Sequence, residues 1–97
     1  MPSAAAVAAL QRMLAAEHAA VYVYGTLGAR TSRSTAPAEY QRMVDAYRAH
    51  LRRRDELVAV LDGAGEEPVR PAPGYDLPGL DGLEALRRRA REIEEAC

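Results

Sequence analysis

The sequence predicts an all-α domain: a bundle of three helices with a long proline-rich crossover between the second and the third. Three observations carry that expectation. Apolar residues recur at alternating gaps of three and four in three separate stretches, the spacing of a helix face turned toward neighbours. The first two stretches are joined by a short Ser/Thr turn, Arg30 to Ala36, and so short a link makes antiparallel neighbours. The second and third are separated by a run carrying Pro68, Pro71, Pro73 and Pro78, which neither a helix nor a central strand tolerates. The 97 residues make a single domain, 1–97, able to bury roughly two-thirds of the surface its unfolded chain exposes.

Helix 1 is expected over about 3–29, with Ser3 as its cap and an Ala-rich body that favours helix. Its inward stripe reads Val7, Leu10, Leu14, Glu17, Val21, Tyr24 and Gly28. A carboxylate therefore stands in the middle of a seam where Leu is the expected residue. An unpartnered buried charge is costly, so Glu17 must meet a cation, a proton, a hydroxyl donor or a metal. Gly25 and Gly28 weaken the end of this helix.

Helix 2 is expected over about 37–62. Pro37 suits the first helical position and Glu39 the positive first turn, while Gly63 can take a left-handed cap. Tyr40, Met43, Val44, Tyr47, Leu51, Val58 and Leu61 trace its apolar face, which Arg54 interrupts and His50 borders. On this reading Glu17 is satisfied by Arg54, Tyr47 or His50. A Glu17–His50 contact needs no metal to be favourable. His18 points about 100° away from Glu17 and is expected at the flank or surface.

The crossover, 63–80, contains Val69, Tyr75, Leu77 and Leu80, too apolar for a solvated tether. It is expected to lie extended along the bundle. Helix 2 spans about 37 Å at about 1.5 Å per residue, and the crossover, fully extended, reaches up to about 55 Å. It can return the whole way, making helices 2 and 3 parallel.

Helix 3, over about 81–97, starts with Asp81 and Glu84 in a capping-box arrangement. Leu83, Leu86, Ala90, Ile93 and Cys97 keep the spacing to the last residue, so the pattern reads as though a continuation were missing.

Composition narrows the function classes. All thirteen basic residues are Arg, and Lys, Asn, Phe and Trp are absent, a bias typical of a GC-rich genome. The net charge of -1 argues against a nucleic-acid or anionic-membrane surface. The Arg runs at 52–54 and 87–89 carry acids at helical spacing, Arg52 with Glu56, Arg88 with Glu92 and Arg91 with Glu95, as a solvated helix face does. A lone cysteine, Cys97, permits no internal disulfide. The apolar AAAVAAL near the start lacks a preceding basic residue, and no run reaches the roughly 20 apolar residues of a membrane span. A cytoplasmic chain is the expectation. No P-loop, dinucleotide-binding glycine pattern, CxxC pair or Ser-His-Asp grouping is present, and no catalytic residue is assigned.

The stretches LQRMLAAEHAAVYVYGTLGAR, RAHLRRRDELVAVLDGAGEEP, PGYDLPG and EIEEAC together resemble a ferritin-like domain family of unknown function found in actinobacteria. The resemblance covers nearly the whole chain and implies a ferritin-like up-down bundle, here apparently lacking the last helix that family members carry after EEAC. Ferritin-like carboxylate proteins hold two metals, with a Glu from each of two helices and a Glu-x-x-His from each of the others. Carried over, the resemblance implies Glu17, His50 and Glu94 as ligands of iron or manganese. Tyr47 stands where a Glu would precede His50, and with Arg54 it is expected to support the site. Three of the class's six ligands make a degenerate site. Two functions follow as expectations. One is a non-catalytic bundle or oligomerisation module, its open face covered by a second copy or another helix. The other is a metal-binding redox or storage protein using Glu17 and His50.

Overall fold

A computed structural model of the chain describes residues 2–73, 75 and 83–96, with the side chains of 83–86 outside the description. The described residues form three helices: α1 (Ala4–Arg30), α2 (Pro37–Gly63) and α3 (Leu83–Ala96). No described residue is in a strand, so the fold is all-α.

Local chemistry sets the ends. The Ser3 hydroxyl accepts from the Ala6 amide at 3.1 Å, satisfying one of the donors a helix start leaves unpaired. At the other end of α1 the Thr31 hydroxyl donates to the Leu27 carbonyl at 2.7 Å. The turn that follows is tied by Ser32, whose hydroxyl accepts from the Thr35 amide and whose carbonyl accepts from the Ala36 amide. Pro37 opens α2. The left-handed residue that ends α2 is Gly65, at φ 76°, rather than Gly63, which is still helical. The Gly65 amide bonds the Asp62 carbonyl and the Glu66 amide bonds the Leu61 carbonyl, the paired closure that a glycine two residues past the last turn permits.

Both α2 and α3 pack on α1, whereas among the described residues no Cα of α2 lies within 8 Å of one in α3. This arrangement widens the buried face of α1 beyond a single stripe. Leu14, Glu17 and Tyr24 are buried, but so are Ala20, Val23 and Leu27, while Val21 and Gly28 of the expected seam are half-buried. The core joins Ala20, Val23, Tyr24 and Leu27 to Ala90 and Ile93 of α3, with Met43, Ala46 and Tyr47 of α2 packed against it. Each fully buried Leu or Val is worth about 1.5–3 kcal/mol. Gly25 admits the ring of Tyr47, since a Cβ there would stand 3.3 Å from Tyr47 Cε2. The helix runs on through it to Arg30.

The described part of the crossover lies extended along α1. Gln11 donates to the Glu67 carbonyl and accepts from the Val69 amide, both at 2.8 Å. Farther on, the rings of Tyr75 and Tyr22 stand 5.2 Å apart. The chain thus travels back toward the start of α2, and α3 then runs parallel to it: Arg87 pairs with Glu39, and Glu94 with His50. Residues 74 and 76–82, with the expected Leu77 and Leu80 contacts and the Asp81 cap, lie outside the described residues, as do the side chains of Leu83, Glu84 and Leu86 and all of Cys97.

Candidate functional site

Glu17, His50 and Glu94 come from three different helices and meet. His50, 1 % exposed, places Nδ1 at 2.7 Å from Glu17 Oε2 and Nε2 at 2.8 Å from Glu94 Oε1. The arrangement is a carboxylate–imidazole–carboxylate chain in which one ring bridges acids from the other two helices. Tyr24 closes it from α1: its hydroxyl donates to Glu94 Oε1 at 2.8 Å, and its ring stacks on the imidazole with centroids 5.2 Å apart at 15°.

Arg53 Nη1 lies 3.7 Å from Glu17 Oε1, which brings a guanidinium to the acid that His50 also bonds. Burial pushes the Glu94 carboxyl up, but hydrogen bonds from His50 and Tyr24 and the charges of His50 and Arg53 outweigh it, and the group lies below its ordinary value. Glu17 is enclosed with His50, whereas half of the Glu94 side chain reaches water.

Two residues expected to support this cluster sit elsewhere. Arg54 turns to its neighbour Asp55, bonding Oδ1 from Nε and Nη2 at 3.1 and 3.0 Å; Arg53 is the guanidinium that faces Glu17. Tyr47 lies against Gly25 and the core instead of bonding Glu17 or His50. His18 is buried rather than at the surface, with Nε2 2.9 Å from the Val69 carbonyl, because the returning crossover covers it. The i,i+4 pairs expected on α3 are absent among the described residues; Arg89 bonds Glu92 three residues on, and Arg87 reaches across to Glu39.

Would this donor set hold the iron or manganese that the resemblance implies? Metal ligands point their lone pairs at one shared centre. Here the carboxylates approach opposite nitrogens of one ring rather than a shared centre. Among the described residues no group of three or more His, Cys, Asp or Glu side chains is arranged to hold a metal ion. In this geometry the residues do not fit such a centre.

A groove of about 680 Å³ opens beside Glu17. Apolar residues of α1 and α2 and Ala96 of α3 line it, together with Arg12 and Glu17 of α1 and Arg53 and Glu56 of α2. No described helix is long and apolar enough to cross a membrane.

A family model described as a domain of unknown function (DUF4439) matches residues 9–97. The chain belongs to that family. The match takes in α1 from Ala9 onward, all of α2 and α3, and every residue of the cluster. No curated protein and no solved structure gives a match. Family membership carries no activity with it.

Proposed function

We propose that this chain is a non-catalytic helical module of ferritin-like topology, in which Glu17, His50 and Glu94 bind three helices together and the open face serves association. The observation that carries this reading is the engagement of both His50 nitrogens by carboxylates from the other two helices. A base, acid or ligand needs a free lone pair or an exchangeable proton facing a substrate, and this imidazole offers neither. Its clearest consequence is mechanical: α2 and α3, which do not pack backbone to backbone, are joined through it.

The ferritin-like topology draws support from the parallel course of α2 and α3 and from the crossover that runs back along α1. In such a bundle a fourth helix would lie opposite α1. The competing reading, iron or manganese chemistry at Glu17 and His50, rests on the same three side chains being brought together.

Metal analysis of protein purified without a histidine tag separates the two. The module reading expects no stoichiometric metal and a large loss of stability in Glu17→Ala. Stoichiometric iron, manganese or zinc that disappears in Glu17→Ala would overturn it in favour of a metal centre.

A further inference from the structure

The cluster at His50 is closed on one side and thinly held on the other. At Nδ1 the Glu17 side chain is 7 % exposed, also faces Arg53, and comes from a helix that packs on α2. At Nε2 the Glu94 side chain is 50 % exposed. Its helix is tied to α2 by the pairs Glu94–His50 and Arg87–Glu39, with no backbone approach among the described residues. Two openings border the same stretch of α3. A cleft of about 470 Å³ is lined by Ala90, Arg91 and Glu94 together with Tyr24 of α1 and Met43 of α2. The groove beside Glu17 reaches Ala96.

A segment opens locally at a cost set by the contacts it gives up. Of the α3 side chains described, those of 87–96, Ala90 and Ile93 are buried, and both paired residues, Arg87 and Glu94, are partly exposed. Leu14 of α1 and Leu61 of α2 are fully buried outside the cluster that holds Ala90 and Ile93. We propose that α3 is a latch on His50: its second half lifts from α1 in a local opening that parts Glu94 from Nε2, while Glu17 keeps Nδ1. In the open form one ring nitrogen meets water and the other stays on a buried carboxylate. An imidazole so held takes up or gives a proton at its free nitrogen. The inference goes beyond the module reading, which describes the closed form.

Diethyl pyrocarbonate, which modifies accessible imidazole nitrogens, reads the opening when pulsed at fixed neutral pH in urea below the unfolding transition. Peptide mass analysis tells His50 from His18, the chain's other histidine. Urea promotes global unfolding steeply, because much surface is exposed, and a small local opening hardly at all. Labelling of His50 is therefore expected to be nearly flat at low urea and to join the unfolding-limited rate only near the transition. Amides of 90–96 should exchange with the same shallow dependence and less protection than those around Glu17. Glu94→Ala removes a bond to a charged group and should raise His50 labelling about tenfold or more. Arg87→Ala cuts the other tie, to Glu39 rather than His50, and should raise it about two- to fivefold. Circular dichroism and urea unfolding check that both variants fold, and each is labelled below its own transition. Labelling that climbs from zero urea with the slope of full unfolding overturns the latch, as does labelling indifferent to Glu94→Ala. Labelling raised by Glu94→Ala alone, or without exchange in α3, shows a moving side chain and overturns it too. None of these outcomes bears on metal content, by which the module reading is judged.

Discussion

His50 Nδ1 stands 2.7 Å from Glu17 Oε2, with the imidazole 1 % and the acid 5 % exposed. Taking one partner from such a pair leaves the other charged and dry, which costs about 3–5 kcal/mol. Glu17→Ala should lose that much in urea unfolding. Glu17→Gln keeps an acceptor for Nδ1 and should lose less. Equal losses for both substitutions would mean that the charge contributes nothing beyond the hydrogen bond.

Tyr24 contributes through its hydroxyl and its ring separately. Tyr24→Phe keeps the stack on His50 and removes the bond to Glu94, which half-faces water. A loss of about 0.5–1 kcal/mol is expected, at the low end for a bond to a charged acceptor. Tyr24→Leu should cost more, because the stacked face goes as well. The comparison is made by thermal and urea unfolding of both variants.

Glu94 ties stability to acid. Its carboxyl is held below the ordinary value of 4.5 by its bonds to His50 and Tyr24 and by nearby charge. A depressed folded-state value means the stabilisation is fully present above 4.5 and is lost as pH falls through the folded value. Glu94→Gln removes the ionisable group. The stability gap between wild type and Glu94→Gln should therefore be constant from neutral pH down to about 5 and shrink below that. A gap that stays unchanged at lower pH would show that the carboxylate's charge is not what His50 and Tyr24 hold.

How far these relationships were legible beforehand depends on their range. Glu17 announces itself because a carboxylate in an apolar stripe must find a partner, and His50 borders the facing stripe. Arg53 could not be told from Arg54: three consecutive guanidiniums offer the same chemistry, and about 100° of helix rotation decides which one faces inward. Tyr24 reads as an apolar position, and its hydroxyl partner lies on α3, far along the chain. His18 is covered by the Val69 carbonyl, which depends on the path of a crossover that has no periodicity of its own. The buried positions Ala20, Val23 and Leu27 fell outside a single stripe because α1 has a neighbour on each of two faces.

The choice between the two guanidiniums is itself open to measurement. Arg53 faces a buried acid from a half-exposed position, so Arg53→Ala should cost up to about 1 kcal/mol. Arg54→Ala should change stability by less than about 0.5 kcal/mol. A double-mutant cycle with Glu17→Gln should give a coupling for Arg53 and none for Arg54, since only groups in contact fail to add. Coupling at Arg54 instead would place the wrong residue beside Glu17.

Gly63 and Gly65 stand two residues apart at the end of α2, and substitution by Ala should move them in opposite directions. Gly63 is helical, and a Cβ there meets nothing within 4 Å. Gly63→Ala should stabilise by up to about 0.5–1 kcal/mol, through the conformational freedom it takes from the unfolded chain. Gly65 holds φ 76°, a region where a Cβ crowds the following carbonyl and costs roughly 1–2 kcal/mol. Gly65→Ala should destabilise by about that amount, and the damage reaches beyond the turn. The closure at Gly65 aims Glu67 and Val69 at Gln11, and Val69 at His18, so releasing it loosens the start of the crossover. Amide hydrogen exchange should accordingly show faster exchange at Glu66 and Val69, whose amides bond the Leu61 carbonyl and Gln11, in Gly65→Ala and not in Gly63→Ala.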